Sequence, residues 1–144
     1  MPAWVTAGFE DYTNRMPSNY RVQLIEITAE KRGKNADIQK ITQREETKID
    51  AAIAQSDYCI ALDRTGKSLD TKTLAKHLQT WHDNQQSICF VIGGPEGLSE
   101  PFLKKANAVW SLSEMTLPHP LVRVVLAEQI YRAWSIVVNH PYHR

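Results

Sequence analysis

Only two cysteines occur in the 144 residues, Cys59 and Cys89, and neither belongs to a CxxC or zinc-type spacing. Each lies inside an apolar run, Tyr58-Cys59-Ile60-Ala61-Leu62 and Ile88-Cys89-Phe90-Val91-Ile92. Both therefore read as reduced core thiols, and a disulfide framework is not expected. Metal spacing is missing too: there is no HExxH, and His77 and His82 stand i,i+5 on a helix, so no metal is expected. No apolar run approaches the ~18 residues of a membrane span. The N-terminus lacks a basic stretch followed by an apolar one, so no secretory leader, no membrane partner and a cytoplasmic location are expected. An excess of one charge is also absent, with 17 Lys+Arg against 16 Asp+Glu and a net charge of +1. Any nucleic-acid contact must then rest on a local patch, not on bulk charge. No linker, repeat or low-complexity stretch breaks the chain, so residues 1–144 read as a single domain, long enough for one core.

What is there alternates. Residues 4–15 read as a short helix and residues 21–27, by their alternation, as a strand. Lys31-Arg32-Gly33-Lys34-Asn35 is a polar loop, with Asn35 as the expected cap of a long helix to about Ala54. A buried strand is expected at 57–62, followed by the turn Asp63-Arg64-Thr65-Gly66-Lys67. Asp70 suits the N-cap of a helix to about His82. Residues 87–92 form a second apolar strand, Ser99 or Glu100 opens a short helix with Pro101 in its first turn, and residues 108–112 give a third strand. A strong helix runs from Leu121 to about Val138. Strands apolar on both faces, alternating with helices, imply an α/β fold: a parallel sheet with helices on both faces.

Four features invite chemistry. Ile92-Gly93-Gly94-Pro95-Glu96-Gly97-Leu98 follows a buried strand directly, where α/β sheets bind ligands. It is neither GxGxxG nor a Walker loop, and Glu96 would repel phosphate, so the loop is either a plain tight turn or a non-phosphate ligand loop. Residues 111–120 are apolar at irregular spacing with two prolines. They form either a structural loop beneath the last helix or a ligand loop whose buried backbone a planar heterocycle could partner. The last helix is apolar on so much of its circumference that two covers are needed: the sheet, and either more of its own chain's core or, the reading preferred for so small a domain, a second subunit. The tail Asn139-His140-Pro141-Tyr142-His143-Arg144 crowds two imidazoles, a phenol and a guanidinium around a proline. Such groups stack on bases and hold phosphates, although chain ends are commonly dull. Lys31, Arg32 and Lys34 make the densest basic cluster, either a solvated loop or a phosphate contact. Acidic pairs such as Glu45-Glu46 read as solvated helix surface.

Taken together, Ile92-Gly93-Gly94-Pro95-Glu96-Gly97-Leu98, Trp110-Ser111-Leu112-Ser113, Thr116-Leu117-Pro118-His119-Pro120-Leu121-Val122-Arg123, Tyr131-Arg132-Ala133-Trp134-Ser135-Ile136 and the tail resemble one family. So does Lys31-Arg32-Gly33-Lys34-Asn35-Ala36-Asp37-Ile38 upstream. The chain resembles, over essentially its whole length, the bacterial 23S rRNA pseudouridine N3-methyltransferases of the SPOUT superfamily. The resemblance implies a SPOUT-type sheet with a C-terminal trefoil knot, a homodimer, and S-adenosylmethionine as cofactor. It implies cofactor contacts from Leu62, Gly93 and Gly94 and from the loop Leu112, Ser113, Glu114, Met115, Thr116, Leu117 and Pro118. Tyr142, His143 and Arg144 would reach the target base, and Lys31, Arg32, Lys34 and Arg123 would hold 23S rRNA on the ribosome. Members of the family carry a leading strand ahead of the segment that matches Met1-Pro2-Ala3-Trp4. That strand is absent from this sequence, which suggests either a start assigned late, the preferred reading, or a truncated chain, and implies an open sheet edge.

The chemistry implied is in-line transfer of an activated methyl group to an imide nitrogen that must lose its proton. His143 suits the base, since an imidazole titrates near neutrality. Arg144 would steady the developing enolate oxygen or a phosphate. The alternative is a non-catalytic ribosome- or RNA-binding protein on the same fold, which would need the basic cluster and the tail but no cofactor pocket.

Overall fold

The computed structural model describes residues 1–55 and 57–144. Among the described residues five α-helices, α1 (Ala3–Thr13), α2 (Ile38–Ala52), α3 (Thr71–Asp83), α4 (Glu100–Lys105) and α5 (His119–Val137), surround three strands, β1 (Tyr58–Ser68), β2 (Ile88–Ile92) and β3 (Ala108–Ser111). Local chemistry sets most of the helix starts. The Asp70 carboxylate accepts from Thr73 N at 2.7 Å, and Ser99 Oγ accepts from Phe102 N at 3.3 Å. Both satisfy amide donors that a first helical turn leaves orphaned. The cap of α2 is Asp37, not Asn35: its carboxylate accepts from Lys40 N at 3.2 Å.

The sheet is parallel in the order β2-β1-β3. Because side chains alternate along a strand, β1 serves two cores. Ile60 joins Leu74 and Ala75 of α3, Trp110 of β3 and Ala133 of α5 on one face. Ala61 joins Val91 of β2 and Phe102 of α4 on the other, with Ile49 and Ile53 packed against them. Ile60 and Phe102 are fully buried, and each such side chain contributes about 1.5–3 kcal/mol of transfer free energy. The helices thus cover both faces, as the alternation implied.

Two expectations about strands need correction. Residues 21–27 alternate but form no strand. They face β2 across a groove of about 1370 Å³, and extended backbone becomes a strand only beside a partner about 4.8 Å away. β2 is accordingly an edge of the sheet. Residues 63–67 are not a free turn: β1 bulges after Leu62 and returns, so that Lys67 pairs with Trp110 and Ser68 with Ser111. Gly66 makes this possible, since a Cβ there would lie 2.7 Å from Val109 backbone. The second cover of α5 comes at least partly from its own chain: α1 crosses it so closely that a Cβ on Gly8 would meet Val124 Cγ1 at 3.2 Å.

At its far end α5 stops in a Schellman turn. Asn139 takes φ 56°, its N–H donates to Ile136 O at 3.2 Å, and His140 N donates to Ser135 O at 2.7 Å. This reversal throws residues 140–144 back along the helix. Among the described residues no helix is long and apolar enough to cross a membrane, and no cluster of His, Cys, Asp and Glu could hold a metal ion.

Candidate functional site

Strand register brings the predicted cofactor segments together. Leu62 of β1 pairs with Ile92 of β2 and with Trp110 of β3. Gly93 and Gly94 therefore leave β2, and Leu112 leaves β3, at the same carboxyl edge as Leu62. That edge is where open α/β sheets hold ligands. The glycine loop is tightly folded: Gly97 N donates to Gly94 O at 2.9 Å, and Gly97 sits at φ 76°. A Cβ on Gly93 would lie 2.7 Å from the Gly97 carbonyl carbon, so only glycine fits that closure. A Cβ on Gly94 would meet only side-chain atoms, of Glu45 at 3.6 Å and of Arg32 at 3.7 Å.

The 112–118 loop is more open than its composition suggested. Met115 is 77% exposed, and Glu114 and Thr116 are exposed beside it. The loop supplies its own polar partners, which removes the reason to bury it. Ser111 Oγ donates to Ser113 O at 2.8 Å, and Met115 N donates to Ser113 Oγ at 2.9 Å. Leu112, Ser113 and Leu117 are half-buried, and Pro118 caps α5. His119, the first residue of α5, lies near Arg123 and Arg32. Burial first and then those two guanidiniums hold its imidazole below the ordinary histidine range.

The basic residues divide into two kinds. Lys31 and Lys34 are exposed. Arg32 and Arg123 are half-buried and each pairs with a carboxylate of this chain. Arg123 has a side chain only 13% exposed, paired with Glu26 at 3.7 Å. Arg32 spends every guanidinium donor inside the protein. Its Nε donates to Glu96 Oε1 at 2.9 Å. Nη1 donates to Glu30 O at 2.9 Å and to Glu45 Oε2 at 3.0 Å. Nη2 donates to Glu45 Oε1 at 2.9 Å and to Glu96 Oε2 at 2.7 Å. These five bonds exhaust the fork. They hold the Arg32 pKa well above its ordinary value, with Glu96 the larger cause and Glu45 the second.

The acidic pair Glu45-Glu46 is not solvated surface either. Glu45 is tied to Arg32, and Glu46 is buried and accepts from both Ser99 N and Ser99 Oγ. Sequence reading missed both. A signal was present for Glu45: Ile41, Glu45, Ile49 and Ile53 recur every four residues and share the inward stripe of α2.

The tail is anchored. Tyr142 Oη donates to Glu128 Oε2 at 2.9 Å, and Arg132 Nε donates to the same oxygen at 3.0 Å while its guanidinium lies 5.0 Å from the Tyr142 ring centroid. Tyr131 meets that ring edge-on at 4.5 Å. Burial and the neighbouring Glu128 push the Tyr142 phenol well above its ordinary pKa. His143 is half-buried, with Nδ1 buried and unpartnered, and Arg144 is exposed. Glu128 of α5 is thus the fastener of the tail. Both cysteine thiols are free, and burial raises their pKa, which keeps them inert.

A family model described as predicted SPOUT methyltransferase matches residues 1–143. The chain belongs to this SPOUT methyltransferase family. Among curated proteins it is similar to "Ribosomal RNA large subunit methyltransferase H" of Coxiella burnetii (strain Dugway 5J108-111). The two are 52% identical over 144 residues, covering 100% of this chain and 93% of that relative.

Proposed function

We propose that this chain methylates N3 of a pseudouridine in 23S rRNA, with S-adenosylmethionine as donor, on assembled ribosomes in the cytoplasm. The observation that carries the reading is the register that sets Leu62, the glycine loop and the 112–118 loop at one sheet edge. Family membership and the name of the Coxiella relative support it.

The residues fit the cofactor. Gly93 lets the 93–98 backbone fold tightly onto itself at the sheet edge, where a Cβ would clash with Gly97 and Leu98, and so leaves the loop's backbone groups bare of side chain beside Leu62. Leu62, Gly93, Gly94 and residues 112–118 would hold S-adenosylmethionine largely through backbone groups and apolar contact. When bound, it supplies a methyl group already activated on a sulfonium. The protein's part is then orientation and one proton. The imide N3 of the target base carries a proton at neutral pH, and His143 takes it. Arg144 steadies the enolate oxygen that forms, and Tyr142 fixes the tail from which both act. Lys31 and Lys34 hold rRNA phosphates. A net charge of only +1 leaves affinity to a preformed ribosome surface. The fold carries the family's C-terminal knot.

The working unit is a homodimer. Tyr142 reaches back only to Glu128, nine positions along α5 from His119, or roughly 13 Å at 1.5 Å per residue. Within one chain the tail stops short of the cofactor loops, and a second copy brings a tail to them. Trp4 of α1, 55% exposed, and Leu121 and Val138 at the two ends of α5 offer apolar surface for that contact. Calorimetry tests the cofactor assignment: saturable heat with S-adenosylmethionine is expected, and no heat at millimolar ligand favours a binding module without catalysis.

A further inference from the structure

We infer that Arg32 is a positioning residue for the cofactor: through Glu96 it holds the Gly93–Gly97 loop in its binding shape, with Glu45 of α2 as the fixed anchor. The inference rests on the cofactor site proposed above. Its warrant is the saturation of the fork. Both carboxylates are engaged bidentately, and the fifth donor goes to the Glu30 carbonyl. Glu45 is itself fixed, because its Oε2 also accepts from Glu30 N at 3.0 Å. Arg32 therefore bridges a rigid helix to the one acidic side chain of a loop that closes on its own backbone at Gly97 N to Gly94 O.

The bridge lies against the glycine that the cofactor would approach, within 3.7 Å of a Cβ on Gly94. It also pairs Glu96, so the carboxylate that made this loop a poor phosphate cradle is held by a guanidinium, not left facing the ligand. Glu46 pins the far end of the same loop at Ser99, so α2 grips it at both ends. A lysine offers three donors from a single point and cannot span two carboxylates.

The test uses Arg32→Ala, Arg32→Lys, Glu96→Gln and the Arg32→Ala/Glu96→Gln double variant, with S-adenosylmethionine titrated calorimetrically and in turnover. Arg32→Ala and Arg32→Lys are expected to raise the cofactor Kd and KM about tenfold or more, because a bidentate charge-assisted pair is lost. The kcat at saturating cofactor should stay within about threefold, and ribosome affinity should not change, because Arg32 has no donor left for phosphate. Glu96→Gln should give the same direction, and the double variant should be no worse than the worse single one, since both act through one bridge. Glu96→Gln leaves the Arg32–Glu45 pair intact, so it remains informative should Arg32→Ala fail to fold. Unchanged cofactor Kd in all variants overturns the inference, as does an effect confined to ribosome affinity, or full additivity in the double variant. Absence of cofactor binding by the wild type sinks the site itself, a different failure.

Discussion

Alanine at His143 or at Arg144 is expected to cut methyl transfer by about 10²–10⁴-fold, the range for a lost acid–base or charge-stabilising group, with cofactor affinity unchanged. The separation follows from geometry, because the tail is fastened to Glu128 and Arg132 rather than to the cofactor loops. Tyr142→Phe removes only the bond to Glu128 and keeps the ring against Tyr131, so it should cost about tenfold in turnover, the order of one charge-assisted hydrogen bond. A dimer whose site borrows its partner's tail makes a further demand. Mixing the His143→Ala and Gly93→Ala proteins should restore activity, up to about a quarter of wild type after random exchange, since half the dimers then hold one intact site of two. Full turnover by both His143→Ala and Arg144→Ala would make the tail assignment wrong.

Gly93→Ala is expected to abolish cofactor binding at any usable concentration and to destabilise the fold by about 1–3 kcal/mol, the usual cost of overpacking. The added Cβ meets backbone, at 2.7 Å from Gly97 C and 3.0 Å from both Gly97 O and Leu98 N. Backbone held by the 94–97 turn cannot give as a side-chain tip would, so the loop must open. Gly33→Ala is the control: nothing lies within 4 Å of its Cβ, and cofactor affinity should hold. Calorimetry and urea melts read both effects. Equal cofactor affinity for Gly93→Ala and wild type would remove the glycine loop from the site.

The two substitutions also mark how far the sequence could be read. The glycine loop was visible because it follows an apolar strand, and strand, turn and carboxyl edge are all local facts. The caps Asp70 and Ser99 were visible for the same reason. The bulged return of β1 was not, because the pairing of Lys67 with Trp110 depends on a strand more than forty residues away. Residues 21–27 misled because alternation reports two faces but cannot report whether a neighbour strand exists. Arg32 looked like one of three basic loop residues. Its partner Glu96 stands 64 positions on, and nothing in the local pattern separates it from exposed Lys31 and Lys34. The tail was visible as an unusual composition, and its resemblance to the family gave it a role. Its attachment at Glu128 needed the reversal at Asn139, a left-handed residue that asparagine tolerates better than most but does not announce.

Methyl transfer with product mapping tests the central claim most directly. Labelled S-adenosylmethionine would be offered with free 23S rRNA, isolated large subunits and assembled ribosomes, and the modified nucleotide identified by mass spectrometry. The account predicts label on N3 of a pseudouridine, fastest with assembled ribosomes and absent from Gly93→Ala. No label in any of the three substrates, or label confined to a nucleotide other than pseudouridine, would contradict it.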